Sequence, residues 1–203
     1  TIRKDIIYGE FKLGEPLSEK KICEKYNLSK TPVREAFAIL QNEWLINRIA
    51  RRGSFVFDIT VSEIKQIAES RYLLEDYAIK ESIKYNQKEL VNKLTNIYEN
   101  MEKVAASNDY IAFLDLDTDF HKSFFISCKN DYLINFYNTL SNKSQALKYY
   151  VVKKAIEGGE GLSSHKSILD DVKNNDLNGL SKNLKQHLSN WINKYIVEYK
   201  INF

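Results

Sequence analysis

The fold of the first part of this chain is indicated most clearly by the segment Leu28-Ser29-Lys30-Thr31-Pro32-Val33-Arg34-Glu35-Ala36. Proline is well tolerated at the first position of a helix, where its missing N–H would have no partner. Pro32 therefore predicts a helix start, with Thr31 as the N-cap. The apolar positions of this helix recur at the spacing i, i+3, i+4, i+7, in Val33, Ala36, Phe37 and Leu40. This spacing places them on one face of an amphipathic helix.

The sequence on either side of this helix predicts a second helix and a hairpin. Upstream, Ser18 is a favourable N-cap for a helix whose apolar face ends at Tyr26. Downstream, two β-rich runs at 45–50 and 54–57 are joined by Arg51-Arg52-Gly53, which predicts a hairpin with a basic tip. A helix, a tight turn, a second helix and a basic hairpin form a winged helix-turn-helix.

The charged side chains of this region fit an interface with DNA. In a winged helix-turn-helix the second helix enters the major groove, and Lys30, Thr31 and Arg34 cluster at its N-terminal end. Arginine can bind guanine with two hydrogen bonds, whereas threonine suits a phosphate. Arg51 and Arg52 at the hairpin tip are placed to reach an adjacent minor groove. The alternative is that these are ordinary solvated charges on a small domain.

The distribution of charge favours the DNA interpretation. The 203 residues carry a net charge of +3, with 30 Lys and Arg against 27 Asp and Glu. Residues 1–60 hold 11 basic and 8 acidic side chains, whereas the remaining 143 residues hold 19 of each. All of the excess positive charge therefore belongs to the predicted winged domain, which indicates that this part of the chain contacts an anion.

From Val61 onward the sequence predicts helices alone. Long amphipathic stretches cover residues 61–86, 88–107, 109–128, 131–154, 162–174 and 176–200. The predicted fold class is therefore mainly α. A winged helix-turn-helix domain over residues 1–60 precedes an all-α antiparallel helical bundle over residues 61–203.

Three histidines and one aspartate in the predicted bundle have the spacing and chemistry of metal ligands. Asp117 and His121 are four residues apart, so both side chains project from one face of one helix. His165 and His187 lie on two later helices. Imidazole is the commonest metal ligand in proteins and carboxylate often accompanies it, so the four residues are a candidate N3O set for one ion. The alternative is that they are unrelated core or surface histidines.

Several motifs along the chain match one family of proteins. In the first part they are Ile6-Ile7-Tyr8-Gly9, Leu13-Gly14-Glu15-Pro16-Leu17-Ser18-Glu19, Leu28–Ala36, Leu40 and Arg52-Gly53-Ser54-Phe55-Val56. In the second part they are Asp117-Thr118-Asp119-Phe120-His121, Ser164-His165-Lys166-Ser167-Ile168 and Gln186-His187-Leu188. On the first set the chain resembles the GntR family of bacterial transcription regulators. On the second set it resembles the FCD ligand-binding domain of the FadR subfamily, an FCD-like bundle with a metal-binding aspartate and three histidines.

The resemblance implies roles for individual residues. It implies DNA contacts from Lys20, Ser29, Lys30, Thr31, Arg34, Arg52 and Gly53. It implies that the metal ligands are Asp117, His121, His165 and His187. It also implies that Arg71, on the first bundle helix, binds the carboxylate of an effector. From the sequence alone, a surface ion pair of Arg71 with Glu75, four residues later, would be favoured over this role.

The sequence departs from the family pattern at three places. Leu13-Gly14 stands where a Pro-Gly pair is usual, and Trp44 stands where a glycine is usual after the second helix. The helix predicted at 131–154 lacks the arginines that many relatives place around the effector. It offers instead Asn142, Gln145, Lys148 and Tyr149. The residues that face the effector therefore differ from those of many relatives.

The sequence thus predicts a ligand-responsive, sequence-specific DNA-binding transcriptional regulator and not an enzyme. The expected partners are a pseudo-palindromic DNA operator, a small organic acid and a second copy of the chain in a homodimer. The expected cofactor is a divalent transition-metal ion, zinc or nickel, with manganese or iron as alternatives. No apolar run reaches the ~20 residues of a membrane span and no export signal opens the sequence, so the expected location is the cytoplasm.

Two other functions would use the same four metal-ligand residues. One is a metal sensor, in which the ion itself is the signal. The other is a metalloenzyme, in which an open coordination position activates water. Against the enzyme, no positioned general base stands out near the ligands and the sequence contains no Glu-x-x-His motif.

Overall fold

A computed structural model of the protein describes residues 1–150 and 160–201. Within them the helices are α1 (Ile2–Ile7), α2 (Glu19–Tyr26), α3 (Lys30–Asn42), α4 (Val61–Ala106), α5 (Tyr110–Ser127), α6 (Asp131–Tyr149), α7 (Glu160–Asn174) and α8 (Leu177–Ile201). The strands are β1 (Pro16–Leu17), β2 (Ile46–Ile49) and β3 (Gly53–Val56). The predicted fold class, a winged helix-turn-helix followed by a helical bundle, is confirmed.

Helix α3 has the predicted apolar face but a different start. Val33, Phe37 and Leu40 are buried. The helix begins at Lys30 with Ser29 as its N-cap, so the prediction of Thr31 as the N-cap is wrong by two residues. Pro32 is accommodated because the first four N–H groups of a helix have no partner within it, and a proline in the first turn removes none of its hydrogen bonds.

The wing is a three-stranded sheet with β3 in the centre. The strand order is β1-β3-β2, and both pairings are antiparallel. The hairpin of β2 and β3 was predicted, with its tip at Arg51-Arg52-Gly53. Strand β1 was not, because two residues are too few to show the alternation of a strand. Its Pro16 lies on the edge strand, where a missing N–H does not interrupt the sheet.

Helix α4 is long and contains one interruption. Its N-terminus is fixed by a capping box in which Thr60 N donates to Glu63 Oε2 at 2.9 Å and Glu63 N donates to Thr60 Oγ1 at 3.2 Å. Asn86 is non-helical, with φ −163° and ψ 79°, at the point where the sequence predicted one amphipathic stretch to end and the next to begin. The following helices run beside it to form the bundle. Among the described residues, no helix is long and apolar enough to cross a membrane.

Two hydrophobic cores hold the molecule together. The first contains Ile6, Phe37 and Leu45 of the winged region together with Ala146 and Leu147 of α6. The second lies among α4, α5, α6, α7 and α8. The winged region therefore packs directly against α6. The predicted end of that helix at residue 154 falls in the segment 151–159, outside the described residues.

Candidate metal centre and nucleic-acid interface

The four predicted metal ligands lie together in the middle of the bundle. Asp117 and His121 come from α5, His165 from α7 and His187 from α8. One ligand atom from each residue lies within 4.8 Å of all the others. All four residues are buried, and His121 and His165 are 0% and 1% exposed. Three helices that are distant in sequence thus bring one carboxylate and three imidazoles to one buried point.

Three of the separations between ligand atoms are short enough for a single ion. The Nε2 atoms of His121 and His187 are 3.0 Å apart. Asp117 Oδ1 lies 3.2 Å from His165 Nε2 and 4.0 Å from His121 Nε2. Two donor atoms bound to one zinc ion at about 2.0–2.1 Å can be at most about 4.2 Å apart. These three separations are within that limit.

The other ring nitrogen of each histidine has a partner that fixes the ring. His121 Nδ1 lies 2.7 Å from Glu75 Oε2, and His165 Nδ1 lies 2.5 Å from the carbonyl oxygen of Gly161. His187 Nδ1 lies 2.8 Å from Ser164 Oγ. Metal-binding histidines usually have such a carboxylate, carbonyl or hydroxyl partner, which orients the ring and sets its tautomer.

The tautomer that Gly161 imposes on His165 leaves a lone pair facing a carboxylate oxygen. A carbonyl oxygen can only accept, so Nδ1 of His165 donates to Gly161 and its Nε2 carries a lone pair. This Nε2 atom has no hydrogen-bond partner among the described residues, although Asp117 Oδ1 is 3.2 Å away. A lone pair and a carboxylate oxygen repel at that distance unless a cation lies between them. The donor set therefore fits a metal ion.

The electrostatics of the site keep the imidazoles of His121 and His187 neutral. Burial raises the pKa of Glu75, but Arg71 and His121 outweigh burial and lower it to about 2. Burial lowers the pKa of His121 to about 4 despite the neighbouring Glu75. Burial and two adjacent imidazoles hold the pKa of His187 well below its usual value. Neutral imidazole is the form that binds metal ions.

Two buried cations flank the cluster. Lys148 Nζ lies 2.5 Å from Asp117 Oδ2, on the side of the carboxylate away from His165. Arg71 Nε donates to Glu75 Oε1 at 2.7 Å, and the guanidinium lies 6.0 Å from the ring centre of Tyr137. The alternative of a surface ion pair between Arg71 and Glu75 is wrong in its location, since the pair forms but both residues are buried. Arg71 is 2% exposed, and its partner Glu75 also contacts His121.

The partners that orient the candidate ligands were not predicted from the sequence. Glu75 was considered only as an ion-pair partner of Arg71, and Lys148 only as a replacement for arginine. No sequence spacing connects Glu75 or Lys148 to α5, because each meets it through packing between helices. Gly161 precedes His165 by four residues on the same helix, so that contact is local. Ser164 instead meets His187 of α8 through packing between helices.

The predicted DNA-contacting residues all lie on the surface of the winged region. The exposed set comprises Lys20, Ser29, Lys30, Thr31, Arg34, Arg52 and Gly53. Arg34 Nε donates to Glu19 Oε2 at 2.9 Å, which links α3 to α2. The guanidinium of Arg52 lies 5.7 Å from the ring centre of Phe55. The side chains at the start of α3 and at the wing tip are thus accessible to a large partner.

A groove of about 650 Å³ separates the start of α2 from the wing. Its basic lining residues are Lys21, Arg48, Arg51 and Arg52. Lys21 and Arg48 were not among the predicted DNA contacts. Arg48 lies on β2, where the alternation of apolar residues gave no reason to select it. The groove places basic side chains from two elements beside each other.

The chain joins a winged helix-turn-helix to a helical bundle with a buried aspartate–histidine cluster. This is the architecture of a two-domain DNA-binding regulator. Residues 1–56 match the family described as bacterial regulatory proteins, gntR family, and residues 66–190 match the FCD domain. The chain therefore belongs to the GntR family of transcriptional regulators with an FCD ligand-binding domain.

Two curated relatives agree with this assignment, and one solved structure agrees with the fold. The gluconate operon transcriptional repressor of Bacillus licheniformis is 28% identical over 191 residues, which cover 92% of this chain and 78% of the relative. The gluconate operon transcriptional repressor of Bacillus subtilis is 32% identical over 139 residues, covering 68% of this chain and 57% of the relative. The solved structure of E. coli McbR/YncC superposes with a TM-score of 0.82 at 19% identity, covering 98% and 94% of the two chains.

Proposed function

We propose that this GntR-family regulator binds a divalent metal ion and a small carboxylate effector in its helical domain, and that both control its affinity for DNA. The observation that carries the proposal is the buried cluster of Asp117, His121, His165 and His187. Its donor atoms converge, and the second nitrogen of every ring is held by another group. Such an arrangement is unfavourable without a cation, and it lies in the domain that the family uses for ligands.

Zinc or nickel is the proposed ion, with manganese or iron as alternatives. Three imidazoles and one carboxylate suit several first-row metals, whose affinities rise through the series to copper and fall again at zinc. The ion would tie together α5, α7 and α8. An ion with five or six coordination positions would leave open positions after the four protein ligands, and the carboxylate of an effector can fill them.

The charges around the cluster favour an anionic effector. Arg71 with Glu75 and Lys148 with Asp117 form two neutral pairs. A divalent ion therefore adds two positive charges to a buried site, and each carboxylate of an effector offsets one of them. Arg71 is the proposed contact, because its guanidinium has further N–H donors besides the Nε–H that binds Glu75.

The effector proposal is tested by a panel of small hydroxy, keto and dicarboxylic acids. Gluconate belongs in the panel because two relatives are named as repressors of gluconate operons. At least one acid should raise the melting temperature of zinc-loaded protein and change its affinity for a DNA duplex selected in vitro. Arg71→Lys keeps a positive charge beside Glu75 but loses the fork that takes a carboxylate with two hydrogen bonds, so it should lose the response and keep the metal.

A metal sensor is the second candidate function, and the burial of the ligands favours it. An ion held by residues as enclosed as His121 and His165 can change the packing of three helices without any organic ligand. In that case the metal alone would change DNA affinity, and no acid in the panel would add to it. A metalloenzyme is a weaker alternative, because the relatives are named as regulators.

We further propose that the chain binds its operator as a homodimer through an exposed apolar stripe on α4 and α6. The stripe consists of Leu73, Tyr77, Tyr132 and Phe136, which are 68%, 54%, 79% and 65% exposed. Tyr77 and Tyr132 line one groove, and the other two residues lie one helical turn from them. These four side chains expose on the order of 600 Å² of surface, and neighbouring residues add to this area. A stable interface needs about 800 Å² from each partner.

Sedimentation of charged variants tests the dimer. Phe136→Glu should dissociate the dimer and weaken binding to a two-half-site duplex. Ile111→Glu introduces the same charge at an exposed apolar position of α5, which is 46% exposed, and should leave the dimer intact. A Phe136→Glu variant that remains dimeric would place the interface elsewhere.

A further inference from the structure

One turn of α6 touches both the metal cluster and the DNA-binding domain. Lys148 Nζ lies 2.5 Å from Asp117 Oδ2, at the cluster. The two preceding residues, Ala146 and Leu147, are 0% exposed and belong to the hydrophobic core of the winged region. Because a helix moves as a rigid element, a displacement of Lys148 also displaces the residues that pack against α1 and α3.

A pair of hydrogen bonds joins the same turn to α1. Gln145 Nε2 donates to Asp115 Oδ1 at 3.1 Å, and Tyr8 Oη donates to the same oxygen at 2.5 Å. Asp115 is two residues from Asp117 on α5, and Tyr8 caps the C-terminus of α1. Lys148 therefore binds Asp117, which faces the cluster. Gln145 binds the neighbouring Asp115, which faces the DNA-binding domain.

An earlier turn of α6 reaches the end of the recognition helix. Asn142 Nδ2 lies 3.4 Å from Oε2 of Glu43, the C-cap residue of α3. Arg3 of α1 holds the same carboxylate with two hydrogen bonds of 2.7 and 2.6 Å. Lys143 lies 5.0 Å from the ring centre of Phe57, which follows the last strand of the wing. Helix α6 thus contacts α1, the end of α3 and the base of the wing.

We infer that α6 transmits occupancy of the metal cluster to the DNA-binding domain, and that Gln145, Asp115 and Tyr8 are the coupling residues. The inference rests on the proposed function, since it requires an ion at the cluster. An ion bound by Asp117 changes the charge that faces Lys148 and so the position of α6. The hydrogen bonds through Asp115 convert that change into a change in the placement of α1.

The coupling is measured as the ratio of DNA dissociation constants of chelator-treated and Zn²⁺-loaded protein. Allosteric ratios are typically about 5- to 150-fold. Tyr8→Phe and Gln145→Ala should each reduce the wild-type ratio about threefold or more and leave the Zn²⁺ affinity unchanged. Tyr26→Phe removes a tyrosine–aspartate hydrogen bond within the winged region, and Asn138→Ala removes an exposed amide of α6. Both controls should keep the wild-type ratio.

The outcomes separate this inference from the proposed function. If Zn²⁺ changes the DNA affinity of the wild type and of both coupling variants equally, α6 coupling through Asp115 is wrong and the proposed function stands. If neither Zn²⁺ nor any acid of the panel changes the wild-type affinity, the proposed function is wrong and there is no response to transmit.

Hydrogen exchange gives a second readout that does not depend on DNA. Zn²⁺ should slow exchange of the amides of α1 and α5 in the wild type. In Tyr8→Phe, which removes one oxygen atom and preserves the ring, the change in α5 should persist and the change in α1 should be lost. Retention of the α1 change in this variant would overturn the inference.

Discussion

At the scale of single residues, the candidate metal site depends on contacts within one helix and on contacts between helices. The four-residue interval of Asp117 and His121 is a property of one helix, so it can be read before the fold is known. Glu75 meets His121 across two helices, and no interval in the sequence encodes that contact.

Glu75→Gln should weaken metal binding about 10- to 100-fold, the usual effect of removing a group that orients a ligand. The amide cannot supply the negative charge that Glu75 places 2.7 Å from His121 Nδ1 and from Arg71 Nε. Competition titration with a metal indicator measures the affinity. Glu81→Gln, on the same helix and paired with Lys84, should bind metal as the wild type does. Equal affinities of the two variants would show that Glu75 does not act on the ligands.

Arg34→Ala should cost about 1–3 kcal/mol of DNA binding and relax discrimination at one base pair in each half-site. Its side chain is 61% exposed and forms an ion pair with Glu19 on the surface, so the variant should fold normally. Lys25→Ala removes the same charge from a residue that instead pairs with Asp5 and lies over the ring of Phe11. Fluorescence anisotropy with a selected duplex compares them. An equal loss in Lys25→Ala would contradict the placement of α3 in the groove.

At the scale of elements, the helices followed from periodicity and the exceptions have local causes. The break at Asn86 was predicted because the apolar face ends there. The start of α3 was misplaced because a proline fits anywhere in the first turn, so it marks a helix start only to within a few residues. Strand β1 gave no signal because its pairing with β3 is set by the hairpin and not by its own two residues.

Trp44→Gly should raise the free energy of unfolding by about 0.5–1 kcal/mol. Trp44 follows α3 with φ 60°, a left-handed conformation that costs a residue with a Cβ atom, and its side chain is 51% exposed. Chemical denaturation measures the change. Trp44→Ala removes the same ring but keeps the Cβ, so it should not be stabilised. A similar gain in both variants would assign the effect to the indole and not to the backbone.

At the scale of the whole molecule, the sequence predicted two parts but not how they meet. Composition changes near residue 60, and the division into domains at 1–60 and 61–203 stays a prediction. The core that joins Leu147 to Phe37 crosses that division. This contact depends on the packing of α6. Amphipathic periodicity indicates that α6 has an apolar face, but it does not predict which element packs against that face.

The affinity for DNA should fall steeply with salt. About six phosphate contacts per dimer give a slope of about −5 in a plot of log K against log salt concentration. The excess of three positive charges in residues 1–60 supplies this interaction. Titrations at several salt concentrations measure the slope. A slope near zero would contradict the assignment of the winged region as the DNA interface.

Native mass spectrometry with metal analysis, on protein purified without chelator, tests most directly the claim that the buried cluster holds an ion. We expect a dimer with one divalent transition-metal ion per chain. His165→Ala should lose the ion, whereas Lys166→Ala, at the exposed neighbouring position, should retain it. Two results would contradict a metal ion at this cluster. One is a wild-type protein that takes up no ion after incubation with Zn²⁺ or Ni²⁺, and the other is a His165→Ala variant with full metal content.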